Sequence, residues 1–214
     1  MKTKTIIAIC ALMSISVIGS ANDTIIDEKK SVLHLQKQWA NIKYQTPKKE
    51  RQADFKWLSK EASQALNLYP NSTELLIWQG IILSTYAGEK GGLGALSIVK
   101  KAKVMFEKAL DKNPEALQGS AYTSLGSLYY QVPGWPLGFG NDKKAEKYLL
   151  QALKLNPNGI DSNFFYGDFL LDQGRKKQAK KVLNKALQAP LREDRPLADK
   201  GRRLEIQALL KKLS

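Results

Sequence analysis

The stretch that decides the fold is KAEKYLLQALKLNP, residues 144–157. Ala145, Leu149 and Ala152 stand at i, i+4 and i+7, which places all three on one face of a helix. Pro157 then ends it, because proline has no N–H to donate and clashes with the preceding turn. Working outward, the same arrangement recurs in KAKVMFEKALDKNP (101–114), as Ala102, Phe106, Ala109 and Pro114. It recurs again in QAKKVLNKALQAP (178–190), as Ala179, Leu183, Ala186 and Pro190. A weaker copy, KEASQALNLYP (60–70), keeps Ala65 and Pro70. Ala145 and Ala179 are 34 residues apart, as are Ala152 and Ala186. A period of that length marks a repeat architecture, not a single globular core.

An apolar helix precedes each of the three stronger copies: ELLIWQGIILS (74–84), AYTSLGSLYYQ (121–131) and NFFYGDFLLDQG (163–174). Each carries one interior glycine, Gly80, Gly126 or Gly167, although glycine weakens a helix. A glycine kept at one point of three helices predicts close helix–helix approach there.

This pattern resembles the tetratricopeptide repeat over roughly residues 40–193. The resemblance implies an all-α solenoid of about four helix–turn–helix repeats, approximately 28–72, 73–116, 119–159 and 160–193, with a capping helix over 196–213. Leu204, Ala208 and Leu209 of that last helix are expected to face inward. Two spacings are longer than the family's: Gly80 to Ala102 by ten residues and Gly126 to Ala145 by seven. Both additions are expected as widened turns. The first holds Gly88, Gly91, Gly92 and Gly94; the second runs from Gln131 to Asn141 with Pro133, Pro136, Gly134, Gly138 and Gly140. Asn141 or Asp142 is the expected cap of the following helix.

The N-terminus speaks to compartment. Lys2 and Lys4 precede an apolar run from Ile6 to Ile18, and Gly19, Ser20 and Ala21 follow. This is the order of a secretory signal peptide, residues 1–21, leaving a domain over 22–214 and implying a periplasmic location. The only cysteine, Cys10, lies inside the apolar run, so the mature chain is expected to fold without disulfides. The formal charge is +14, with a net +9 between Gly174 and Ser214. In an exported protein such an excess points to anionic envelope surfaces or acidic proteins and away from nucleic acid.

The inventory of reactive groups argues against an enzyme. Beyond residue 21 there is no cysteine and a single histidine, His34, so nucleophile–histidine sites and multi-histidine metal sites have too few members. The glycine-rich GEKGGLGAL (88–96) fits neither phosphate-loop spacing. No catalytic residue, metal or cofactor is expected. Asp161, Asp168 and Asp172 recur on one helix face, where solvation or pairing with lysine accounts for them.

What remains is surface for binding. The family resemblance places the first helix of each repeat along a concave groove, with Ile77, Ile81, Thr123, Ser127, Tyr130, Phe164 and Asp168 facing a peptide or protein partner. Most lysines lie on the second helices, which predicts a basic convex side and a neutral to acidic groove. Trp135 and Phe139 in the second insertion either cover the helix stack or shape a pocket with the first insertion. The architecture is also similar to the accessory T-component type of TRAP transporters, which implies a small-molecule ligand under the inserted loops. A third reading is an envelope adaptor that uses the basic convex face.

Overall fold

The computed structural model describes residues 21–213. The expected signal segment falls outside the described residues except for Ala21. Nine helices and no strand make up the described chain: α1 Ala21–Tyr44, α2 Lys48–Leu68, α3 Thr73–Lys90, α4 Gly92–Lys112, α5 Ala116–Gln131, α6 Asp142–Leu155, α7 Ile160–Asp172, α8 Lys176–Leu187 and α9 Pro196–Lys211. Successive helices pack as antiparallel pairs, and the pairs stack on one another, giving an all-α solenoid of the tetratricopeptide type.

The sequence motif explains the pairing. Ala102, Phe106, Ala109, Ala145, Leu149, Ala152, Ala179, Leu183 and Ala186 are all buried. The central apolar residue of each motif presses into the glycine of the helix before it. A Cβ on Gly80 would stand 2.5 Å from the Phe106 ring, one on Gly126 2.8 Å from Leu149 Cγ, and one on Gly167 2.7 Å from Leu183 Cγ. Each glycine therefore supplies the hole for one large side chain. Burying such a side chain is worth about 1.5–3 kcal/mol, which exceeds the roughly 1 kcal/mol that glycine costs a helix.

Polar side chains set the boundaries where the sequence offers them. Ser72 accepts a hydrogen bond from the Leu75 N–H at 3.1 Å and starts α3. Asn141, not Asp142, starts α6 by accepting from the Lys144 N–H at 2.9 Å.

The first insertion differs from expectation. Most of it is helix: α3 continues to Lys90 and α4 begins at Gly92, so the hairpin grows longer and the turn stays tight. Gly91 and Gly92, with φ of +63° and +60°, take the left-handed backbone that this reversal needs. Exposed hairpin tips have no neighbour to limit them, so helix was the cheaper use of those residues. The second insertion is a true loop, tied by Gly138 N–H to Gly134 O at 3.0 Å, Gly140 N–H to Pro133 O at 2.9 Å and Asn141 N–H to Tyr129 O at 2.7 Å.

The last helix also departs from expectation. Ala198, Asp199, Gly201, Arg202 and Ile206 form its buried face, while Leu204 is 59% exposed and Ala208 is also exposed; Leu209 is partly buried. The helix does more than cover the end of the stack. It packs on α7 and α8 and reaches back to α1, with no close approach to α3 or α5. Gly201 lies directly against the Tyr44 ring, leaving no room for a Cβ. Tyr44 Oη also meets the Glu205 carboxylate at 3.5 Å. The concave side is thus bridged by the chain's own C-terminal segment.

Candidate functional site

Beneath that bridge lies a cavity of about 520 Å³. The first helices of the pairs form its floor: Trp39 and Tyr44 from α1, Trp78 and Ile81 from α3, and Thr123 and Ser124 from α5. The turn before α7 adds Asn156 and Asn158, and the C-terminal segment brings Arg192, Arg195 and Arg202 to one wall. Leu117 and Gln118 at the mouth have φ of +47° and +56°, a conformation that costs side-chain-bearing residues about 1–3 kcal/mol each. The helical part of α5 accordingly begins after Gly119. Gln118 accepts a hydrogen bond from Asn156 Nδ2 at 2.9 Å, which ties the mouth to the next turn.

Ion pairs hold the arginine wall in place. Arg192 donates from Nη1 to Asp161 at 2.8 Å and from Nε to Asp199 at 2.7 Å. The Arg192 backbone N–H also reaches Asp199, at 2.8 Å. Arg202 donates from Nε to Asp161 at 2.9 Å and from Nη1 to Glu205 at 2.5 Å. Its guanidinium also stands 4.2 Å from the centre of the Phe164 ring. Loss of hydration would push the Asp161 carboxyl up, but Arg202 and then Arg192 outweigh it and hold it well below the usual carboxylate range. Burial likewise opposes the charge on Arg202, and Asp161, with Tyr44 and Glu205, more than restores it.

Arg195 is different. Its side chain joins no salt bridge or hydrogen bond among the described residues, its Nε is buried without a partner, and its guanidinium lies 5.1 Å from the centre of the Trp78 ring. Burial lowers its pKa, against partial relief from Asp161. Trp78 is 2% exposed, and its Nε1 also lacks a partner.

The residues expected in the groove separate into three groups. Ile81 and Thr123 line the cavity. Ile77 is 0% exposed and belongs to the core, and Ser127 and Phe164 are buried. Tyr130 and Asp168 lie outside the cavity lining and bond to each other, Tyr130 Oη donating to Asp168 Oδ2 at 2.7 Å across α5 and α7. Burial first, then the Asp168 charge, raises the Tyr130 pKa.

Phe139 packs edge-on against Tyr129 at 5.5 Å and under Lys103, closing the seam beside α4, whereas Trp135 is 90% exposed and covers nothing. The cavity is not under the inserted loops, where a transport-accessory reading would require it, since neither insertion contributes to its lining. The cavity's arginines come from the C-terminal segment, which the repeat pattern did not bring to the concave side, and Asp161, Asp194, Asp199 and Glu205 stand with them. Gly201, an interior helical glycine like Gly80, Gly126 and Gly167, was the available signal that this helix is packed closely.

His34 sits at the surface near Glu61, at 3.6 Å. Among the described residues, no group of three or more His, Cys, Asp or Glu could hold a metal ion. No helix of the described residues is long and apolar enough to cross a membrane.

A profile of the tetratricopeptide repeat matches residues 138–158 and 160–190. No curated protein matches the chain. The crystal structure of a thermophilic TPR protein from Thermus thermophilus is similar, with a TM-score of 0.57 at 17% identity, covering 87% of this chain and 98% of that one. At that identity the likeness speaks to fold alone. MamA AMB-1 aligns at 18% identity over 91% of each chain, with a TM-score of 0.43.

Proposed function

We propose that this chain, a tetratricopeptide-repeat protein, is an exported, non-catalytic scaffold that holds a peptide or protein partner on its concave side in the bacterial periplasm. The observation that carries the reading is the composition of the cavity. Its floor comes from α1, α3 and α5, the first helices of three successive pairs, and α9 makes no close approach to α3 or α5. A short extended segment laid there would touch Ile81, Thr123 and Ser124 at once. The C-terminal bridge limits the opening, so the partner must present a narrow strand and not a folded face.

Site-specific photocrosslinking in cells tests this. A photoreactive residue at Ser124, inside the cavity, should give a defined protein adduct, while one at Lys147 on the exposed side should not. Equal labelling from both positions would reject the concave site. Export is tested separately: the periplasmic form should begin at Asn22, and a form retaining Lys2 would end that part of the proposal.

One observation favours a second reading, the envelope adaptor. Trp135 and Leu137 are 90% and 62% exposed on a loop tied by backbone hydrogen bonds. Exposed Lys143, Lys144 and Lys147 follow on α6. If these lysines hold the protein to an anionic surface, association weakens steeply as salt rises; salt-independent association rules this reading out.

A further inference from the structure

We infer that the concave cavity binds a small organic acid through its carboxylate, with Arg195 as the recognising cation and the indoles of Trp39 and Trp78 beside the apolar body. The cavity is the one in which the partner reading lays its strand, but the inference rests on Arg195 and Trp78 and not on that reading.

The argument begins with unmatched charge. Three guanidinium groups converge on the cavity, and two of them are fully engaged. Arg192 is held by Asp161 and Asp199, and Arg202 by Asp161 and Glu205. Arg195 has no carboxylate in contact. Placing a cation in a partly dehydrated wall without a counter-charge is costly, and proteins seldom keep one that does nothing. Its fixed fork of donors matches a carboxylate.

Trp78 gives a second, separate observation. Its ring is 2% exposed, it lines the same cavity, and its indole N–H has no acceptor. Buried donors are normally satisfied. Here two neighbouring groups, Arg195 Nε and Trp78 Nε1, both lack an acceptor. Both atoms are closed to water, so an arriving carboxylate must draw the Arg195 side chain off the indole face.

Charge and volume narrow the class. Asp161 and Asp194 also line the cavity and would repel a dianion, whereas a single negative charge matches the single free guanidinium. A volume of about 520 Å³ lies within the range of small-molecule sites, and an inorganic anion would leave most of it empty. Trp39, Tyr44, Ile81, Leu117 and Phe165 offer apolar surface for the rest of the molecule.

The test uses the mature chain and two probe pairs, phenylacetate with phenylacetamide and hexanoate with hexanamide. Binding is followed by calorimetry and by tryptophan fluorescence, since Arg195 moves relative to Trp78. Saturable binding of at least one acid is expected, with the matching amide at least about tenfold weaker, the loss of one charge-assisted pair. Arg195→Gln should lose the binding and Lys176→Gln should keep it. The acid–amide comparison in the unaltered protein needs no variant, so misfolding of Arg195→Gln cannot rescue the idea. No saturable binding of either acid up to about 10 mM, which is weaker than one such pair plus apolar burial should allow, overturns the inference. So does equal binding of acid and amide. Binding of the tripeptide Ala-Ala-Phe with a free C-terminus, with neither small acid bound, would assign the cavity to peptide ends and overturn the small-acid reading.

Discussion

Replacing Gly126 and Gly88 by alanine, each alone, should move stability in opposite directions. Both glycines lie in helices, and intrinsic propensity favours alanine by about 1 kcal/mol in each case. The surroundings differ. A Cβ at Gly88 meets nothing within 4 Å, so Gly88→Ala should stabilise by up to about 1 kcal/mol. A Cβ at Gly126 would lie 2.8 Å from Leu149 Cγ and 3.1 Å from the Leu149 backbone nitrogen. Leu149 is 0% exposed and has no space to retreat into. Overpacking of this kind costs about 1–3 kcal/mol, and subtracting the propensity gain leaves a net loss of about 0–2 kcal/mol. Thermal denaturation followed by far-UV circular dichroism reads both variants. A chain of this size shifts its Tm by about 2–4 °C per kcal/mol, so the two midpoints should separate by several degrees. If Gly126→Ala is stabilised as much as Gly88→Ala, the glycine is not a packing hole and the account of helix pairing fails.

Asp161→Asn removes the charge that Arg192 and Arg202 share. Losing one member of a buried pair costs about 3–5 kcal/mol; Asp161 retains 30% side-chain exposure, so about 2 kcal/mol is expected. Trypsin should then cut after Arg192 or Lys200 up to roughly 30-fold faster as α9 opens more often; unchanged cleavage would remove the ion pairs from the explanation. The same carboxyl sets an acid limit. Its folded pKa is depressed, so its contribution is complete above its ordinary value of 3.8 and fades as pH falls below it. Acid-induced loosening of α9, read by the same proteolysis with an acid-active protease, should be smaller in Asp161→Asn, where only Asp199 and Glu205 still hold Arg192 and Arg202. Tyr130→Phe deletes the donor to Asp168 and should cost about 1 kcal/mol in urea denaturation. Trp135→Ala should change stability by less than about 0.5 kcal/mol, because the ring is 90% exposed; a larger loss would mean that the loop covers the core after all.

The repeat itself was legible because its signal is periodic and apolar. Ala145, Leu149 and Ala152 on one face, with Gly126 opposite, describe a helix pair before any coordinates are known. The position of α9 was not legible, for a physical reason. Its inward face carries Asp199 and Arg202, which resemble surface residues until their partners on other elements are known. Assigning charges outward phases that helix wrongly and turns Leu204 and Ala208 inward. The cavity was missed for the same reason: net charge reports how many arginines a segment holds, not the side of the solenoid they face. Ile77 was misplaced because family position does not distinguish a side chain that lines a groove from one that supports it from below.

The contact between Tyr44 and Glu205 joins residues 161 positions apart in the chain. An open array of helical pairs behaves like a spring: each coil feels only the next, and the ends fray first. Fastening the last helix to the first converts the spring into a clasped bracelet. Its two ends then lose protection together, and trimming α9 should loosen α1 at the far terminus as much as α8 beside it.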